Sequence, residues 1–110
     1  CILSNGSNNM LKSGIKSSKL EKLIDKVISV DKCKKFKPSK EVYQLVIDEF
    51  KEDKEKHIFF SSNCWDIHGA SHFGLKTIWV NRFNKINDYL PGKPDLEIKK
   101  LNDYKINNIF

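Results

Sequence analysis

The sequence predicts an α/β fold: a parallel sheet with helices on both faces. Two observations carry this. Four short runs rich in β-branched and aromatic residues, "CILS" (1–4), "KVISV" (26–30), "HIFFSS" (57–62) and "KTIWVN" (76–81), lie far apart along the chain. The stretches between them are too long for hairpins and are mostly helix-like, so successive strands are expected to run parallel through crossovers. A chain of 110 residues suits one modest domain, taken here as residues 1–110.

Each element has its own signal. "CILS" reads as the end of a strand, and a polar turn follows at residues 5–7. A helix is expected from Asn8 to Ser18 with Met10, Leu11 and Ile15 on one side. "KLEKLI" reads as a helical turn before the second strand. The charged loop "DKCKKFKPSK" contains Pro38, which disfavours helix just before it. Ser39 then suits the N-cap of a helix reaching Phe50, with Glu41 in its first turn and Val42, Leu45, Val46 and Phe50 facing the core. "KEDKEK" reads as a solvated connection. After the third strand, "WDIHGASHFG" is expected to be a short helix closed by Gly74. Beyond the fourth strand, "LPGKPD" reads as a loop, "LEIK" as an edge strand and "LNDYKINNIF" as a final turn.

Composition narrows the function. No apolar run approaches the roughly 18 to 20 residues that cross a bilayer, and no secretory leader pattern is present. Cys1, Cys33 and Cys64 form neither an even set nor a close-spaced metal pair, which suits a reducing compartment, read as cytoplasm. The formal charge is +6, but Arg82 is the only arginine and the lysines are scattered. Phosphate and base recognition favours arginine forks and aromatic platforms, so no nucleic-acid partner is expected. Cys64, His68 and His72 recur every four residues, yet i and i+8 on a helix stand about 12 Å apart, too far for one zinc ion. Both histidines are expected at the surface.

In a parallel sheet, ligands bind beyond the carboxyl ends of the strands. Ser4 and Asn5 end the first strand, and Lys37 lies in the loop after the second. Ser61, Ser62, Asn63 and Asp66 follow the third, and Asn81 follows the fourth. Serine, asparagine, lysine and one acid are therefore expected on one rim. Singly, each has a plainer reading: Ser4 and Asn5 suit a turn with Gly6, and Asn63 or Asp66 a helix cap.

The segments "ILSNGS", "FKPSKEVY" and "FFSSNCWDIHGA", in that order, resemble the haloacid dehalogenase superfamily, and within it the type II enzymes that act on L-2-haloacids. The resemblance spans nearly the whole chain. It implies a Rossmann-like core, of which residues 1–110 would be the carboxyl-terminal part, without the first strand, its nucleophilic aspartate and the cap. The opening residues "CILSNG", already strand-like, suggest the same. In phosphatase relatives a Gly-Asp pair follows the third strand and helps bind Mg²⁺; here Ser61-Ser62 stands there. The resemblance therefore implies a cofactor-free site, since displacing halide from carbon needs no metal, unlike phosphoryl transfer.

The roles implied are specific. The aspartate would attack Cα, expel halide and form an ester that water hydrolyses. Lys37 would keep that aspartate ionised and oriented. Ser4 matches a contact to the substrate carboxylate or nucleophile, and Asn5 a halide-site asparagine. Ser61, Asn63 and Asp66 would position the nucleophile and Lys37 and prepare the water. Tyr43 matches a supporting tyrosine and Trp65 an apolar wall, with core packing an equal reading for both. The implied partner is a small 2-haloacid, with a second copy or an amino-terminal complementing segment as the protein partner. The alternatives are a catalytically inactive truncated domain, surviving as a remnant or binding module, and a metal-dependent phosphatase.

Overall fold

The computed structural model describes residues 1–105; the last part of the expected final turn lies outside the described residues. The chain divides into two compact units, Cys1–Glu52 and Asp53–Phe110.

In the first unit, strand β1 (Ile2–Ser4) pairs in parallel with β2 (Val27–Ser29), Ile2 opposite Val27 and Ser4 opposite Ser29. Between them runs helix α1 (Asn8–Ser17), whose N-cap Ser7 accepts the Met10 N–H. Leu11 and Ile15 are half-buried, but Met10 is exposed, so the apolar stripe is narrower than its spacing predicts. The second strand also ends earlier than expected. The Ser29 hydroxyl accepts the Asp31 N–H and turns the chain into one 3₁₀ turn, Val30–Lys32.

Helix α2 (Lys40–Phe50) buries Val42, Tyr43 and Val46. Phe50, expected in the core, lies in its last turn and is exposed. Ser39 occupies the N-cap position, but its hydroxyl donates to Glu41 and makes no cap hydrogen bond. Glu49, two turns beyond Val42, receives Lys26 at 2.7 Å and Lys32 at 3.3 Å.

The second unit holds a three-stranded parallel sheet in the order β3 (Ile58–Ser61), β4 (Lys76–Val80), β5 (Leu96–Ile98). Strand β4 is central and its side chains alternate between two buried faces. Trp79 packs with Cys64 and Ile67 of helix α3 (Cys64–Phe73) and with Phe59. Ile78 and Val80 pack with Ile98, Ile58, Leu96 and Tyr104 on the other face. Helix α3 starts one residue before the expected Trp65 and ends, as expected, at Gly74 in the left-handed region. Lys54 donates to the Phe73 carbonyl and sits 3.8 Å from the Phe73 ring centre, a cation placed at the helix's negative end. The expected sheet is thus present as two parallel pieces. Among the described residues β1 pairs only with β2, and β3 only with β4.

The β4 to β5 crossover, residues 81–95, contains no helix and is held by side chains instead. Asn81 bonds both the N–H and the carbonyl of Lys85, Asp95 bonds the Thr77 N–H, and the His68 ring bonds Asn87 and the Gly92 carbonyl, each at 2.7 Å. His68 is therefore buried, contrary to expectation, because this loop folds over it; His72 stays exposed.

Two glycine substitutions should move stability in opposite directions. Gly92 has φ +86°, and a Cβ there would lie 2.7 Å from the His68 carbonyl oxygen. Gly92→Ala should cost about 1–3 kcal/mol. Gly14 sits inside α1 with nothing within 4 Å of a new Cβ, so Gly14→Ala should add about 0.5–1 kcal/mol. Urea unfolding midpoints test both signs.

Candidate active site

The first unit gathers three of the expected residues at the carboxyl end of β1. The Ser4 hydroxyl accepts the Gly6 N–H at 3.0 Å, closing a tight turn directly after the strand. Asn5, inside that turn, accepts the Lys37 backbone N–H on its Oδ1 at 2.8 Å. The Lys37 ammonium returns to the same strand end and donates to the Leu3 carbonyl at 3.4 Å. A cation from the loop after β2 is thereby held at the end of β1. Tyr43 is wholly buried in α2.

Glu41 braces the segment that carries Lys37, a role the sequence signal of a first-turn acid did not reveal. Its carboxylate accepts the Lys35 ammonium on one oxygen and the Ser39 hydroxyl on the other, so one residue from each side of the Lys37–Pro38 pair is tied to one group. Lys35 first, then Ser39, hold the Glu41 carboxyl down to about 2.

The second unit gathers the rest at the carboxyl end of β3. Asp66, in the first turn of α3, is 1% exposed. Its Oδ2 accepts the Ser61 hydroxyl at 3.1 Å, and the Ser61 oxygen in turn accepts the Asn63 N–H at 3.2 Å. Burying a carboxylate demands such donors. The neighbouring Ser62 is exposed and presents its backbone carbonyl to the Trp79 indole N–H. Asn63 is the N-cap of α3 by position, without a side-chain cap bond. Trp65 stands at the start of the helix, 38% exposed, while Asp66 one position on points inward.

One expectation changes here. Asn81, placed by its position on the rim, is buried and spends its amide on Lys85 and Glu97, making it a loop anchor. Cys64 and His68 both meet Asn87, but both His68 nitrogens are engaged by other groups and burial pushes the Cys64 thiol up, so no activated thiolate results. Among the described residues no three His, Cys, Asp or Glu side chains converge on a point that would hold a metal ion, and no helix is long and apolar enough to cross a membrane.

The Glu41 brace gives a pH test. Its folded-state pKa lies below the ordinary 4.5, so the tie is complete above about 4.5 and is lost as pH falls toward about 2. Hydrogen-exchange protection at the Lys37 and Ser39 amides should decline in that window. Protection unchanged until global unfolding would count against it.

The arrangement can now be set beside known proteins. A family model described as haloacid dehalogenase-like hydrolase matches residues 1–80. (S)-2-haloacid dehalogenase 1 of Pseudomonas sp. (strain CBS-3) is 43% identical over 88 residues, 80% of this chain and 39% of that protein. (S)-2-haloacid dehalogenase H-109 of Pseudomonas putida is 36% identical over 102 residues, 93% of this chain and 46% of that protein. The L-2-haloacid dehalogenase of Xanthobacter autotrophicus superimposes with TM-score 0.89 at 28% identity, covering 93% of this chain and 51% of that one. The same enzyme is also solved with chloropropionic acid covalently bound. The chain spans about half, or less, of the length of these relatives. By fold, by the residues at its strand ends and by this match, the chain belongs to the haloacid dehalogenase-like hydrolases.

Proposed function

We propose that residues 1–110 form the carboxyl-terminal part of the core domain of a hydrolase of the 2-haloacid dehalogenase type, converting L-2-haloacids to 2-hydroxyacids in a reducing, cytoplasmic setting. The observation that carries this reading is Lys37, whose backbone is fixed by Asn5 and whose ammonium is held at the end of β1. A cation at a strand end suits a carboxylate that must stay ionised to attack carbon.

The chemistry balances without an added cofactor. A carboxylate oxygen attacks Cα, and halide leaves with the carbon–halogen electron pair. Water then adds at the carboxyl carbon of the ester, releasing the hydroxyacid and regenerating the carboxylate. Asn5 keeps its amide N–H₂ to face the halide, since its oxygen is bound to Lys37. Ser4 meets the substrate carboxylate. In the second unit, Ser61, Asn63 and Asp66 are assigned to preparing the water and Trp65 to an apolar wall. Wholly buried Tyr43 supports from the core rather than by touching substrate. The attacking carboxylate comes from a further segment, joined in one chain or added as a second polypeptide; the relatives, of whose length this chain spans about half or less, support this. Among the described residues β1, β2, β3 and β5 each have a single strand partner, and parallel sheets are ordinarily paired and covered.

The inactive-domain alternative is favoured by one feature. Asp66, the acid at the end of β3, is committed to Ser61 and is poorly placed to act as nucleophile.

Two experiments test the reading. Residues 1–110 alone should release no halide from L-2-chloropropionate. A chimera joining the amino-terminal part of the Pseudomonas sp. (strain CBS-3) relative to this chain should release it, and Lys37→Ala should then lower kcat by about 10³-fold or more, as loss of a member of a catalytic unit does. A folded but silent chimera would sink the proposal, and an active Lys37→Ala chimera would remove Lys37 from it. Second, because Ser62 stands where a phosphatase relative carries a metal-binding acid, Mg²⁺ titrated calorimetrically into the chimera should give no stoichiometric binding, and chelators should leave halide release unchanged. Tight Mg²⁺ binding would favour a phosphatase.

A further inference from the structure

Ser29 and Asp31 belong to none of the roles above, yet they hold the turn on which Lys37 depends. Ser29 ends β2 and is 1% exposed. Its hydroxyl donates to the Gly6 carbonyl at 2.7 Å and accepts the Asp31 N–H at 3.1 Å, so both its donor and an acceptor site are used. Asp31 reaches back to accept the Asn8 N–H at 2.9 Å, the first amide of α1. On the other side of the turn, the Gly6 N–H donates to Ser4. Residues 4–8 are thus clamped at Ser4, Gly6 and Asn8, with Asn5 between the clamps. A Cβ on Gly6 would already meet Leu11 at 3.3 Å and Ser4 Oγ at 3.4 Å, so the turn has little room to shift.

We propose that Ser29 and Asp31 are positioning residues of the dehalogenase reaction. They fix the height of the Ser4–Gly6 turn above the end of β1, and through Asn5 the position of Lys37. The chemistry of this role rests on the function proposed above; the placement rests on the hydrogen bonds alone. A path through Gly6 and Asn5 links the buried Ser29 hydroxyl to Lys37, so Ser29 acts through other residues rather than by touching substrate. A displacement of about 1 Å in such a support costs up to about 100-fold in rate.

The test uses two readouts. In residues 1–110, Ser29→Cys keeps the side chain's size but weakens its hydrogen bonds. It should speed hydrogen exchange at the Lys37 amide about tenfold, the factor one net hydrogen bond is worth, with Ile78 and Trp79 in the other unit unchanged. Asp31→Ala should do the same, and Asp31→Asn, which retains an acceptor for Asn8, should restore protection. In the chimera, Ser29→Cys and Asp31→Ala should lower kcat by about 10- to 100-fold with little change in KM, and Asp31→Asn should recover it. Should Ser29→Cys unfold, the exposed Asp31 pair decides the matter. Unchanged Lys37 exchange in the Asp31→Ala protein, or an equal loss in Asp31→Asn and Asp31→Ala, would overturn the proposal. An inactive parent chimera would defeat the dehalogenase reading instead, while the exchange result would still confirm or overturn the placement.

Discussion

One hydrogen bond joins the start of the chain to the loop beyond its second strand: the Asn5 side-chain oxygen takes the Lys37 backbone N–H. Parallel pairing of β1 with β2 makes it reachable. Because both strands run the same way, the turn after β1 and the loop after β2 leave the sheet at the same end. Asn5 converts that proximity into a fixed position, and the Lys37 ammonium inherits it. In the other unit the same constraint acts through Ser61 and Asp66. A strand end and a helix start meet, and a hydroxyl donated to a buried carboxylate sets their distance.

The strands and the candidate site were legible because both are local signals. Runs such as "KVISV" and "KTIWVN" announce themselves by β-branching, and Ser4, Lys37, Ser61 and Asp66 follow those runs closely enough for topology to place them at strand ends. What was not legible depends on distant partners. His68 reads as one histidine on a short helix; its burial comes from Asn87 and Gly92, which periodicity on α3 cannot report. Asn81 follows a strand just as Asn63 does, yet a loop returning to Lys85 claims its amide. Phe50 fits the α2 stripe by spacing but falls in the last turn, where it stays 37% exposed. The division of the sheet into two pieces was equally hidden, since a strand's sequence shows how it is buried but not beside which strand it lies.

The two units solve the burial problem differently. The second has a central strand whose alternate side chains serve two apolar clusters, with the Trp79 indole N–H satisfied by the Ser62 carbonyl. Its core is built on both faces of one element. The first relies on α2, where Val42, Tyr43 and Val46 are buried, and on polar bridges among short segments, including Lys26 and Lys32 on Glu49. Exposed ion pairs of that kind add little stability individually. The groups that order Lys37 are therefore hydrogen bonds with strict geometry rather than bulk packing, which favours placement over rigidity of the whole unit.

The strand registers also govern how the chain acquires its shape over time. Ile2 pairs with Val27, Ile58 with Lys76 and Ile78 with Leu96, so each pairing joins consecutive strands through a long crossover rather than a hairpin. Each pairing must close a long loop before it is rewarded, which slows formation relative to a helical protein of equal size. Every one of these closures is nevertheless completed within its own unit. During synthesis, the pairing of β1 with β2 can be reached once the first unit has emerged, before β3 has left the ribosome. The order of translation thus presents the ribosome-bound chain with two short searches in succession rather than one long one.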